Sequence, residues 1–332
     1  MNLEKIDQIA KAVLYEGYML YPYRPSAIKN RQRFNFGILF PETFADVQAG
    51  AEACSLRTEC LITGSTDTMI EIRLRFLQLR ARSQEGPDQS GKALFTDNWQ
   101  EAMDREVLLP KMRLQDLREK ISHPFSFPSV EWNGTEKDGA AGSRVVIRRQ
   151  SAIAGLAEIA VENIYRSVFK ISVLVRNSTP VQDAHGKRED ALLQSLISAH
   201  LVLGVEEGAF ISLLDAPEEL QEFASRCQNV GVWPVLVGEP GACDTLLASP
   251  IILYDYPQIA PESAGDLFDG TEIDEILSLR IMTLTDEEKR EIRHSDERAR
   301  HILERTDSMP AEQFMKLHGA VRGMRPLKEN TP

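Results

Sequence analysis

Residues 67–83 read DTMIEIRLRFLQLRARS. Ile70, Ile72, Leu74 and Phe76 alternate with Glu71, Arg73 and Arg75, and Leu77 and Leu79 then continue in the opposite register. A period of two over so many residues predicts a long strand with one buried and one charged, water-facing side. The phase change at Phe76–Leu77 predicts a β-bulge, because one extra residue turns the apolar side over. Everything else in the chain is placed relative to this strand.

On its N-terminal side, Leu3, Ile6, Ile9, Ala10, Val13 and Leu14 recur at helical spacing and predict an amphipathic helix ending near Gly17. Pro22 and Pro25 forbid its continuation, and RFNFGILF reads as a strand. On the C-terminal side, QEGPDQSGK (84–92) and NGTEKDGAAGS (133–143) read as exposed connections. RVVIRR and SVFKISVLVRN follow as strands expected to pair antiparallel, the second with Phe169, Ile171, Val173 and Val175 on one face. HLVLGVEEGAFISLL reads as a hairpin turning at EEG, and GVWPVLVG and PIILY as short buried strands.

From residue 215 onward helices dominate. Asp215 with Glu218, and Thr285 with Glu288, have capping-box spacing, and TEIDEILSLRIM carries apolar residues at helical intervals. The expected class is α+β: an antiparallel sheet or sandwich, an N-terminal helix and a mainly helical C-terminal region. Residues 1–135 and 143–332 are the two candidate regions, or one continuous domain.

The chain has 332 residues, 42% of them hydrophobic, enough for a sizeable core without disulfide or zinc staples. Cys54, Cys60, Cys227 and Cys243 form no CxxC pair and read as reduced thiols. No signal peptide and no run of about 18 apolar residues is present, so a cytoplasmic location without membrane contact is expected. The net charge of −12 is uneven: residues 1–150 hold 21 basic and 20 acidic residues, and residues 151–332 hold 17 and 30. Such an acidic half repels nucleic acid.

No Walker A or GxGxxG sequence occurs, and no cofactor is implied. GxSxG is absent too; His200, with Ser198 or Ser212 in reach, is the candidate for catalysis, against the commoner use of an apolar-strand histidine in packing. Seven acids and no Lys, Arg or His lie between Ser249 and Arg280: Asp255, Glu262, Asp266, Asp269, Glu272, Asp274 and Glu275. EF-hand spacing fails, since Asp266 as first ligand puts Phe268 third and Leu277 twelfth. Asp255, Glu262, Asp266 and Asp269 remain as ligands of a looser metal site. Asp269 to Glu275 suit a helix N-terminus, whereas Asp255, Glu262 and Asp266 share a proline-stiffened loop with Tyr254, Tyr256 and Phe268 and read as a docking surface. Tyr21, Tyr23, Arg24 and Arg31, in a basic and aromatic segment, read as a clasp onto those acids or as a second part of the interface.

Two blocks, YEGYMLYPYRPSAIKNRQRFNFGILFP and SPIILYDYPQIAPESAGDLFDGTEIDEILSLRIMTLTDEEKREIR, resemble a bacterial protein family associated with gene clusters of high-affinity uptake nickel–iron hydrogenases. The resemblance implies an accessory role in hydrogenase maturation or assembly, with a hydrogenase subunit or maturation factor as partner, and transfers no catalytic residues. Consistent with that, the chain lacks the paired CxxC motifs that hold nickel and iron. The expectation is thus a binding protein rather than an enzyme; the alternative is a metal-dependent hydrolase using the acidic loop 255–275.

Overall fold

The strand that begins the argument is longer than its alternation suggests. In the computed structural model, β1 runs from Ser55 to Glu85, and ten further strands assemble on it directly or through a neighbour. The structure describes residues 3–24, 27, 30, 36–85, 99–137, 143–181, 183–259, 274–295, 297–310 and 312. The chain divides into two compact units, one of residues 1–18 and 32–257, the other of residues 19–31 and 258–332.

The first unit is one antiparallel sheet. In chain order its strands after β1 are β2 (Trp99–Leu108), β3 (Met112–Arg113), β4 (Ile121–Phe127), β5 (Val130–Lys137), β6 (Ser143–Gln150), β7 (Ile153–Tyr165), β8 (Val168–Asn177), β9 (Ile197–Ile211), β10 (Trp233–Leu236) and β11 (Thr245–Ser249). The main path is β10-β11-β9-β1-β8-β7-β4. The first part of β1 pairs with β8 and the start of its run along β9, the middle with β9, β3 and β2, and the last part with β2 and β6. Phe76 of β1 meets Phe125 and Phe127 of β4 at ring separations of 6.2 and 5.7 Å, though β4 ends the path three strands away. The sheet therefore curls over on itself around one core, which β1, β7, β8 and β9 fill with Ile62, Ile72, Leu74, Ile159, Val173 and Leu203. Each such side chain contributes about 1.5–3 kcal/mol by leaving water.

Two irregularities interrupt the pairing of β1 with β9. Between Gly64 and Met69 the pairing with β9 slips. Thr68 fills the gap, its hydroxyl donating to Glu207 O at 2.8 Å, and a Cβ on Gly64 would lie 2.3 Å from that hydroxyl oxygen. The second slip lies between Arg75 and Leu77, where the phase change predicts it. The extra residue belongs to β9, however: Arg75 faces His200 and Leu77 faces Ile197, and Ser198 between them has a φ of 52°. Strand β1 keeps its register with β2 throughout this stretch, so both of its faces are buried from Phe76 to Leu79.

Helix α1 (Leu3–Tyr15) covers the other face of β9, β10 and β11, packing Ile6, Ala10 and Val13 on Val202, Val235 and Leu247. Short helices α2 (Glu42–Val47), α3 (Arg188–Leu192) and α4 (Gln221–Ser225) lie in connections. In the second unit α5 (Asp274–Met282), α6 (Asp286–Ser295) and α7 (Glu297–Asp307) are helical. The α+β class, with an N-terminal helix and C-terminal helices on an antiparallel sheet, is as expected.

Several local expectations need correction. Asn133–Lys137 is not a linker but part of β5, paired with β6, so a single sheet runs from one predicted region into the other. Strands β6 and β8 do not pair with each other; each pairs with β1. Strand β9 is no hairpin, because both of its halves pair with the one long β1; Glu207, at φ 59°, absorbs the slip instead of turning the chain. Of RFNFGILF the described part is a loop with a single bridge, Leu39 to Leu196, since Gly37 has a φ of 55°. PIILY bends at its first two residues and is no strand; the strand lies just before it, in β11. Pro217 stands at the start of the 218–225 helical stretch with no side-chain cap, so the Asp215–Glu218 capping box does not form. The charged face of β1 is only partly open to water and is ion-paired, Arg73 with Glu71 at 2.6 Å and Arg80 with Glu101 at 2.6 Å.

Candidate functional site

Strand β10 is an edge of the sheet, and a bare edge is a template for unwanted pairing. Two devices close it. Pro234 has no N–H to offer. The polar groups of Leu236 are taken by the segment that follows β11: Leu236 N–H donates to Asp255 Oδ1 at 2.8 Å, and Tyr256 N–H donates to Leu236 O at 2.7 Å. The Ser212 hydroxyl donates to the other oxygen of Asp255, tying the end of β9 to the same point.

Residues 250–257 thus form a strap, bounded by a proline at each end and bent at 250–251 and 255–256. Its side chains alternate. Ile251 and Leu253 pack inward on the cluster formed by α1, β10 and β11. Ile252 and Tyr254 point out and are 75% and 81% exposed. Leu214 and Trp233, on the two segments that Asp255 ties together, are exposed as well. Tyr256, at φ 56°, packs against the main core with its hydroxyl 4.0 Å from Cys243 Sγ, and burial raises its phenol pKa.

The residues singled out in the sequence separate under this geometry. Tyr254 is a free outward aromatic, as a docking surface requires. Asp255 and Tyr256 serve the fold, fastening the strap to the sheet edge. Glu262, Asp266, Phe268, Asp269 and Arg31 lie outside the described residues. Tyr23 is 1% exposed, so burial withdraws it from any interface. Arg24 pairs with Glu288 at 3.0 Å and Glu291 at 3.9 Å, within its own unit, rather than with the acids of 255–275. Arg280 places its guanidinium 5.6 Å from the Tyr21 ring.

His200 is wholly enclosed. Its Nδ1 lies 2.9 Å from Ser198 O, its Nε2 is buried without a hydrogen-bond partner, and burial, with Arg75 adding to it, lowers its pKa to about 4. Ser198 donates its hydroxyl to Val13 O, and Ser212 to Asp255. Neither serine is held by the imidazole. Among the described residues no three His, Cys, Asp or Glu side chains converge as metal ligands, and both oxygens of Asp255 are already engaged.

What the sequence did not single out is Ile252, Trp233 and Leu214. A signal was present for the first: in PIILYDYP every residue from Ile251 to Leu253 is apolar, and an extended segment must turn alternate ones outward. No protein-family model matches this chain, and no curated protein matches it.

Proposed function

We propose that this protein is an accessory protein that acts by binding another protein, with the outward side of the strap, centred on Ile252 and Tyr254, as the contact. The observation that supports it most is the division of labour along eight residues. Every inward or polar strap residue has a structural task, while two large apolar side chains are held outward in a fixed, proline-bounded frame. Interfaces centre on such aromatic and aliphatic anchors. A rigid strap loses little entropy on docking. The acidic excess of residues 151–332 favours a partner with a basic rim. The resemblance of the two terminal blocks points to a hydrogenase subunit or a hydrogenase maturation factor as that partner.

A photo-crosslinking amino acid at position 254, used in the source cells, tests this. The expected product joins residue 254 to a hydrogenase subunit or maturation factor, and the purified pair binds with an affinity that an Ile252→Ser, Tyr254→Ser variant lowers about a hundredfold. Equal labelling of the same proteins from position 47, on an unrelated exposed surface, or unchanged affinity in the double variant, would sink the proposal.

A further inference from the structure

A cleft of about 780 Å³ opens in the first unit, far along the chain from the strap residues. It lies between the start of β7 with its preceding turn, the 179–181 segment, and α3 with the loop before it. Its size is that of a small-molecule site. Phe44, Phe127, Ile153 and Pro180 give it apolar walls. Its polar lining is rich in acceptors: the carboxylates of Asp183 and Asp190 stand against one ammonium, that of Lys187. Gln194 also lines it, and its side-chain oxygen is buried with no hydrogen-bond donor. An unpaired buried acceptor is costly, and a donor brought by an occupant would remove that cost.

The back wall is rigid. Arg105 lies 4.8 Å from the Phe127 ring and donates to Gln78 at 2.8 Å and Gln150 at 2.6 Å. These glutamines donate in turn to Ser151 O and Pro128 O, so the two backbone turns of the cleft are pinned by one polar network. On the opposite wall, Thr179 accepts from Ala154 N–H at 2.9 Å and donates back to Ala154 O. A cleft fixed on both sides need not be organised by its ligand.

We infer that this cleft binds a small amphipathic amine, its apolar body between Phe44 and Phe127 and its protonated nitrogen toward Asp183, Asp190 and the Gln194 amide oxygen. An ammonium supplies three donors and no acceptor, the complement of this lining. A carboxylate would add to the excess negative charge of the lining, and a neutral alcohol would leave that excess uncompensated.

Three probes share a phenylethyl body and differ in the end group: 2-phenylethylamine, 2-phenylethanol and 3-phenylpropanoate. Titrated into the isotope-labelled full chain at low salt, the amine is expected to bind about fivefold more tightly than the alcohol, two partly screened charge contacts each being worth ~0.2–1 kcal/mol. The carboxylate binds most weakly. Backbone amide shifts should concentrate at Ala152, Gly186 and Gln194. The amine's advantage should vanish in an Asp183→Asn, Asp190→Asn variant, whose two exposed positions leave the fold intact, as a thermal melt checks. The inference fails if the three probes bind alike, if the preference survives the double substitution, or if none shifts the cleft at about 10 mM, where weak fragments of this size are still detected.

Discussion

Two carboxylates, Asp255 in the strap and Glu288 in α6, do comparable work by different routes. The Glu288 carboxylate accepts from Thr285 N–H at 2.8 Å and from the Thr285 hydroxyl at 3.0 Å, and these two bonds lower its pKa. All of its capping partners lie three residues away. Asp255 reaches Leu236, 19 residues earlier, and Ser212, 43 residues earlier. A local carboxylate caps one helix and can be recognised from spacing alone. A long-range one joins three segments, and removing it disturbs all of them.

The contrast can be broken or sharpened in four ways. The largest effect should come from His200, whose burial is long-range even though its one hydrogen-bond partner, Ser198 O, is local. Unfolded, its imidazole titrates near 6.5; buried, near 4. Between those values the unfolded chain binds the extra proton. The contribution of His200 to stability is therefore full above about pH 6.5, falls as the pH drops and is lost below about pH 4, a change of roughly 3 kcal/mol. Urea midpoints across that range should show the slope, and a His200→Gln variant should lose that part of it. Next, Asp255→Ala should cost about 2–3 kcal/mol, because the Leu236 N–H and the Ser212 hydroxyl both lose their acceptor. Protease cleavage within 250–257 should accelerate as the strap lifts. Thr285→Ala should cost only about 1 kcal/mol, read as amide-exchange protection lost in the first turn of α6 and nowhere in the sheet. If its effect spread as widely as that of Asp255→Ala, the distinction between local and long-range carboxylates would collapse. Ile252→Ser with Tyr254→Ser should change stability by less than about 0.5 kcal/mol while lowering partner affinity about a hundredfold.

The same distinction explains what could be foreseen from the sequence. The alternation of Ile70 to Phe76, the helical spacing of Ile6, Ala10 and Val13, and the Thr285–Glu288 pair are short-range patterns, and each appears in the structure where expected. In strand β9, Glu206, Glu207 and Gly208 look like a turn, and only the passage of β1 alongside both halves keeps them in one strand. Strand β7 carries no local signal, since its GLAEIAVENIY mixes small and charged residues; its Ile153, Ala157 and Ile159 are buried by β4 and β8. Within the candidate site, Tyr254 was legible as an aromatic among acids and prolines. The structural duty of Asp255 was not, because neither Leu236 nor Ser212 carries a local mark of it.

The length of β1 also has a consequence in time. It leaves the ribosome before the strands that pair with it, and β9, its longest partner, begins roughly 110 residues after β1 ends, about 6–20 s of synthesis at 5–20 residues per second. During that interval an apolar strand waits with both hydrogen-bonding edges open, or borrows the nearer β2 and β6 to cover its last third. Nascent chains of this protein are thus exposed to misassembly for longer than those of a sheet built from successive hairpins. Holding chaperones should engage them most strongly before Ile197 emerges.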